Sequence, residues 1–438
     1  MEATLSKLFS IVSNWVWGPP MLVLLVGTGI YLTLRLRGVQ ITGLIHALYL
    51  AFIVRKEKGA EGDITHFQAL MTALAATVGT GNIAGVATAI FSGGPGALFW
   101  MWMTGLFGMA TKYAEGFLGV RFRIKNKRGE MSGGPMYYAR QGIKNPQLAK
   151  FMGMFFAICG AFACLFGTGN MAQSNSMALA FNDQFNVPFW ISGLVITTMV
   201  GAVVLGGIKR IGSVSERLVP TMIILYFGGA ITVILVNITN LPAAFSVIFK
   251  AAFSIKAVGG ALVGTSVRQA ISIGIRRGLL SNESGLGSAA IAQASSKSSD
   301  PSRNGLIAMT GTFIDTIVVC TFTGFVIIST GLWKSGHTGA ELTTHAFNHG
   351  LPGNSGGIIV AIGLILFAYS TMLGWSYYGE KSLEYLFGAK LIKPYRIVFC
   401  ILVFVGAGIK LDLVWAIADV FNGLMAVPNL IGLLALSG

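Results

Sequence analysis

Apolar runs recur from one end of this chain to the other, each near the roughly 20 residues that an α-helix needs to cross a bilayer. Set against turns and charges, they fall at 15–36, 66–92, 95–120, 150–181, 188–208, 217–237, 263–296, 305–331, 354–380, 394–410 and 412–436. No other feature restricts the fold so tightly, because a backbone in hydrocarbon must satisfy its N–H and C=O groups within its own segment. The expectation is an all-α integral membrane protein with about eleven transmembrane helices. Composition supports it: 11% of the residues are charged, whereas soluble globular domains carry roughly 25%. Glycine is abundant, at 58 residues, which suits helices that pack closely or break in lipid.

A net charge of +15 would suit a nucleic-acid partner, yet the basic residues gather in the connections between runs. Arg35, Arg37, Arg55, Lys56 and Lys58 form one group, Arg121, Arg123, Lys125, Lys127 and Arg128 a second, and Lys390, Lys393 and Arg396 a third. That is the positive-inside pattern of cytoplasmic loops. No aromatic-basic stripe or reader motif accompanies it, so nucleic acid is not an expected partner. With 37–65 cytoplasmic, loops 121–149, 209–217, 297–304 and 381–396 share its side. The N-terminus is then outside and the C-terminus cytoplasmic, in a multi-pass protein of the cell membrane. Lys250, Lys256 and Lys334 run against the rule. The first run ends in basic residues and reads as a spanning helix, without a cleavable signal-peptide pattern. Segments 40–54 and 242–253 read as short interfacial helices on opposite sides. Cys159, Cys164, Cys320 and Cys400 fall within apolar runs, with neither zinc spacing nor a disulfide framework, and are assigned to packing.

Two runs differ from the rest in carrying glycine and polar residues at mid-span. One reads Leu74-Ala-Ala-Thr-Val-Gly-Thr-Gly-Asn-Ile-Ala-Gly85, the other Gly278-Leu-Leu-Ser-Asn-Glu-Ser-Gly-Leu-Gly-Ser288. Setting the first span aside, these are the first and sixth of ten core helices, and they enter the membrane from opposite sides. Broken helices at matching places in two halves point to a transporter site between inverted repeats. The chain divides accordingly into residues 1–60, holding the N-terminal helix and interfacial segment, and two five-helix repeats at 61–240 and 241–438. A break frees amides at one half-helix end and carbonyls at the other; amides suit a carboxylate and carbonyls a cation.

At these residues the sequence resembles the alanine/glycine:cation symporters. The stretches Gly79-Thr-Gly-Asn-Ile-Ala-Gly-Val86, Gly93-Gly-Pro-Gly-Ala-Leu-Phe-Trp-Met-Trp102 and Arg277-Gly-Leu-Leu-Ser-Asn-Glu-Ser-Gly-Leu-Gly-Ser288 carry the likeness, with Phe313-Ile-Asp-Thr-Ile-Val-Val-Cys320 beside them. Ser284 and Ala290 depart from it, standing where the family usually has Ala and Pro. The resemblance implies a leucine-transporter-like five-plus-five inverted repeat with one extra N-terminal helix. It also implies uptake of alanine or glycine with sodium or a proton, and no cofactor beyond the coupling cation.

Carried onto this sequence, the fold's sodium site takes carbonyls of Ala75 and Val78, the carbonyl of Phe367, and the hydroxyls of Ser370 and Thr371. Neutral oxygens suit a hard cation and release it readily, and so favour sodium over a proton; the same hydroxyls also bond readily to their own helix. The substrate site is expected beside it. Amides of Gly79, Thr80 and Gly81, with Thr77 and Asn82, are placed for the carboxylate, and carbonyls around Leu280, Ser281 and Asn282 for the ammonium. Thr371 borders both sites, and Trp375, one turn on, would cap a small apolar pocket. Asn170 and Gln173 either face that cavity or hydrogen-bond between helices.

Of the charged residues, Glu283 lies at the second break, and an intramembrane carboxylate is a functional candidate. It would neutralise the substrate ammonium, carry a proton, or pair with Arg276 or Arg277. Lys112 and Glu115 read as a local pair near the inner end, and Asp315 as a packing residue. His345 and His349 have metal-pair spacing but are placed in a solvated outer loop without a flanking carboxylate. An intramembrane enzyme would need a nucleophile–base pair or metal set, and no such motif is present; a channel would show filter loops or pore-lining repeats.

Overall fold

The computed structural model describes residues 2–57, 59–253, 267–409 and 412–438. Lys58, Lys256, the opening of the seventh expected span at 263–266 and residue 410, closing the tenth, lie outside the described residues. Helix makes up most of the described part of every expected span. Among the described residues seven helices are long and apolar enough to cross a membrane, and the pair His66–Thr77 and Gly81–Gly93, bent by 53°, counts as an eighth if taken as one span. Three runs miss that test: Phe189–Val204 has only 16 residues, the seventh run is divided into Val267–Asn282 and Ser288–Ala294, and Gly96–Arg121 is long enough but not apolar enough. The chain is a multi-pass, all-helical membrane protein whose strand content among the described residues is one hairpin, Ile124–Lys125 against Met131–Ser132.

Helix starts follow capping chemistry. Thr65 and Gln68 form a reciprocal capping box, each side chain accepting from the other's amide at 3.1 Å, and set the start of the first broken helix. Asn145 and Asp300 cap helices that begin at Pro146 and Pro301, where a missing N–H is harmless. The half-helix His66–Thr77 is buried all round. Its Ala69, Ala73 and Ala76 face one apolar cluster around Trp375 and Phe156, whereas Leu70, Leu74 and Val78 face another around Phe367, Tyr226 and Phe347. A helix apolar on every side belongs in the interior, and here it lies between the two cores. On the outside, Leu34, Ile224 and Ile397 stay exposed, as lipid contact requires.

The structure revises several boundaries. The fourth expected span is interrupted at 167–170, between Pro146–Phe166 and Met171–Phe185. Helix Gly207–Val236 begins ten residues before the expected 217, so Lys209 and Arg210 sit in its first turn instead of a loop. His345 and His349 belong to a helix, Gly339–Gly350, and a carboxylate, Glu341, stands beside His345. Segment 40–54 is three short helical pieces with Ile41, Ile45 and Ile53 outward and Gln40, Ala47 and Ala51 inward. Helix Leu241–Phe253 shows the same two faces, Phe245 and Phe249 out, Ala244 and Ile248 in.

Candidate functional site

The first break begins where Val78 turns extended, at ψ 92°. The Gly79 N–H, which would close the helix on the Ala75 carbonyl, donates instead to Asn82 Oδ1 at 2.9 Å. The chain then bonds Asn82 N–H to the Gly79 carbonyl at 3.1 Å and restarts as a π-helical turn, Gly81–Gly85. The opening amides of such a half-helix have no carbonyl of their own helix to meet. Neither Gly79 nor Gly81 has a positive φ. Gly79 is required by proximity, since a Cβ there would lie 2.6 Å from Thr371 Oγ1, whereas a Cβ on Gly81 would meet nothing closer than 3.8 Å.

Those contacts bring the expected cation ligands into one neighbourhood. Ser370 Oγ donates to the Phe367 carbonyl at 2.9 Å and lies 3.4 Å from the Val78 carbonyl. Thr371 Oγ1 donates to the Phe367 carbonyl at 2.9 Å, a bond within its own helix. Ala75, Val78, Phe367, Ser370 and Thr371 are all buried. Losing the Gly79 amide leaves the Ala75 carbonyl without its usual helical donor, which adds an acceptor on the same side of the break.

The second break is built from charge. Glu283 has φ 54°, and Gly285 and Gly287 have φ 92° and 82°. Glu115 Oε1 accepts from the amides of Gly285 and Gly287 at 3.0 Å each and from Asn429 Nδ2 at 2.8 Å. Lys112 Nζ lies 3.7 Å from Glu115 Oε2 and donates to the Glu283 carbonyl at 3.1 Å. The expected pairing of Lys112 with Glu115 is present, but these buried residues hold the broken backbone instead of sitting at an inner end. Glu283 does not pair with Arg276, whose guanidinium reaches Asp419 at 3.1 Å. Its carboxylate accepts from Trp375 Nε1 at 2.8 Å and Ser288 Oγ at 2.5 Å. Asp315 bonds both breaks, accepting from Asn82 Nδ2 at 2.7 Å and Ser281 Oγ at 3.0 Å.

Between the breaks lies a cavity of about 440 Å³, within the usual range for small-molecule sites. Thr77, Gly79, Thr80, Gly81, Gln173, Leu280, Ser281, Thr371 and Trp375 line it, as do Thr168, Arg277, Glu283, Asp419 and Asn422. Three expected residues stand off its wall. Asn82 latches the first break, Asn282 donates to Thr316 Oγ1 at 3.0 Å, and Asn170 donates to the Phe399 carbonyl at 3.1 Å. Gln173 does reach the site, accepting from Thr80 Oγ1 at 3.3 Å.

Thr168 lines the cavity from the unexpected third interruption. That interruption repeats a tetrapeptide: Gly167-Thr-Gly-Asn170 has the sequence of Gly79-Thr-Gly-Asn82. Both turns are closed by the same bond, Asn82 N–H to Gly79 O and Asn170 N–H to Gly167 O, each 3.1 Å. The repeat was the signal that would have found it.

The cavity wall runs along Gly85, Thr88, Arg277 and Trp415, on the halves expected toward the outside. At the other end Arg123 donates to four carbonyls, those of Ala294, Ser296, Ser298 and Glu61, at 2.5–3.0 Å. Buried Lys381 bonds Glu384 at 2.7 Å and lies 3.5 Å from Glu130, tying the hairpin to helix Ser355–Phe387. The Arg123 bonds tie together, on the side of the basic loops, the segments that flank the two broken helices.

A family profile described as the sodium:alanine symporter family matches residues 1–438. The sodium/alanine symporter AgcS of Methanococcus maripaludis is 54% identical over 436 residues, which cover 99% of this chain and 95% of that protein. Among solved structures, MhsT in complex with L-phenylalanine aligns with a TM-score of 0.60 at 15% identity, covering 84% of this chain and 89% of that one. A manganese transporter of Eremococcus coleocola aligns with a TM-score of 0.51 at 13% identity, covering 85% and 76%. At such identities the likeness is one of fold: an all-helical fold shared with these transporters.

Proposed function

Since the chain belongs to the sodium:alanine symporter family and is a transporter, not an enzyme, we propose that it takes up alanine and glycine with sodium by alternating access. The observation that carries this reading is the junction at the first break, where the cavity meets a set of buried neutral oxygens across Gly79 and Thr371. Amides of Thr80 and Gly81 receive the substrate carboxylate there, joined by that of Gly79 when it leaves Asn82 Oδ1. Carbonyls around Leu280 and Ser281, with the Glu283 carboxylate, receive the ammonium. Sodium sits among Ala75, Val78, Phe367, Ser370 and Thr371, one residue from the substrate, so each ligand's binding stabilises the backbone that the other needs. Asn82 and Asn282 act through the backbone turns they fix, and Asn170 through the third.

In this reading the repeats 61–240 and 241–438 rock against one another, with the N-terminus outside and the C-terminus in the cytoplasm. Release to the cytoplasm requires the four Arg123 bonds to part, because they join the loop after Gly96–Arg121 to the segments that flank both broken helices. A proton-coupled alternative has one observation behind it, the Glu283 carboxylate on the cavity wall. Counterflow of labelled alanine and glycine in liposomes, under separately imposed sodium and proton gradients, tests the proposal. Accumulation driven by sodium alone supports it; accumulation driven by protons without sodium replaces it with the alternative.

A further inference from the structure

Helix Gly339–Gly350 carries a set of side chains that the transport cycle does not use. His337 Nδ1 lies 2.8 Å from Glu341 Oε1, and His345 Nε2 lies 4.0 Å from the same oxygen. The two imidazoles stack with centroids 4.3 Å apart, and the three donor atoms fall within 4.8 Å of one another. The spacing is i, i+4, i+8: His337 stands two residues before the helix, and Glu341 and His345 follow on one face. We propose that His337, Glu341 and His345 form a binding site for a zinc-class divalent cation. Two imidazoles and a carboxylate are the donor set that zinc, cobalt and nickel favour over magnesium or calcium, and they leave a fourth position for water. Tetrahedral bonds of 2.0–2.1 Å place donors about 3.3 Å apart, so the cluster needs only modest rotation of partly exposed side chains.

Position gives the site a consequence. The opposite face of the helix is buried through Leu342, Thr343, Ala346 and Phe347. Thr343 Oγ1 donates to the Ile83 carbonyl at 3.1 Å, within the π-helical turn of the first break. A cation joining His337 to His345 locks the entry segment, where Gly336 has φ 87°, onto a helix that rests on the substrate cradle. Bound metal therefore slows the conformational cycle; this second part rests on the proposed transport function, whereas metal binding does not.

Titration calorimetry of tag-free purified protein with zinc chloride tests binding directly. The expected result is one zinc ion per chain, with affinity lowered at least about tenfold by His345→Ala and by Glu341→Gln. His349→Ala, one turn further on, serves as control and leaves binding unchanged, and magnesium chloride does not compete. Equal zinc affinity in the parent and both variants, or no binding at all, overturns the site. Alanine uptake with and without zinc then tests the consequence. Inhibition present in the parent and absent in His345→Ala supports it, and zinc-insensitive uptake by a zinc-binding parent refutes the coupling.

Discussion

The two broken helices solve one problem by different means. The first opens through an extended residue, Val78, and its backbone is latched by a neutral group, the Asn82 amide, with the Asp315 carboxylate reached only through the other end of that side chain. The second turns through left-handed residues, Glu283, Gly285 and Gly287, and is held by the buried Lys112 and Glu115. Left-handed geometry at a non-glycine residue costs roughly 1–2 kcal/mol, and Glu283 keeps it because Lys112, Trp375 and Ser288 fix both its backbone and its carboxylate. A turn whose backbone is held by a single side-chain amide can rearrange around a ligand. A turn clamped by a desolvated charge cannot. Within the proposed function, the difference suits the first break to carboxylate and ion capture and the second to a stiffer frame that presents the ammonium site.

The largest expected effect lies at the second break. Glu115→Ala strips acceptors from two glycine amides and Asn429 and leaves Lys112 uncompensated in the interior. Removing one partner of a buried pair costs about 3–5 kcal/mol, so the thermal midpoint of detergent-purified protein should fall sharply and alanine should not rescue it. A mild loss would erase the contrast between the breaks. Trp375→Ala acts where the breaks meet, since Trp375 both lines the cavity and donates to Glu283. Apolar pockets discriminate by about 1–3 kcal/mol per methylene, so valine and leucine should compete better against labelled alanine. Unchanged competition removes Trp375 from the pocket wall. The smallest effect is Thr371→Val, which keeps the shape and removes one oxygen beside Gly79. A hydrogen-bonding group is worth about 0.5–1.5 kcal/mol, so half-saturating sodium for uptake should rise several-fold with expression intact. An unshifted sodium curve would return Thr371 to its own helix, through its bond to Phe367.

Both breaks were legible in the sequence because glycine and polar residues at mid-span have few uses in hydrocarbon except to open a helix. The spans were legible for the same reason, through length and apolarity. The wiring of the second break was not. Lys112 and Glu115 look self-sufficient at a spacing of three, and their backbone partners lie about 170 residues away in the chain. Asn82 and Asn170 are polar residues at mid-span; sequence places Asn82 beside the carboxylate and leaves Asn170 between the cavity and an interhelical bond, and packing turns Asn82 to the Gly79 backbone and Asn170 to the Phe399 carbonyl, the second of those alternatives. The third interruption was hidden because Gly167-Thr-Gly-Asn170 lies in a run that otherwise reads as one helix. Ser284, a departure from the family pattern, needed no compensation beyond the Thr312 hydroxyl 3.0 Å away.

The claim that the first break is the substrate cradle is tested most directly by Gly81→Ala, read as thermal stability with and without alanine. The added methyl group has room in this structure, with its nearest neighbours on Ser281 at 3.8–3.9 Å, and the residue is not left-handed. Packing alone therefore predicts little change, whereas a ligand that must approach the amide is displaced. Ligand stabilisation grows with concentration over the dissociation constant, reaching about 2.7 kcal/mol at a hundredfold excess. The account predicts an unaltered ligand-free melting point and loss of the alanine-induced rise. A lowered ligand-free melting point with the alanine rise preserved would contradict it and place the carboxylate elsewhere along the cavity.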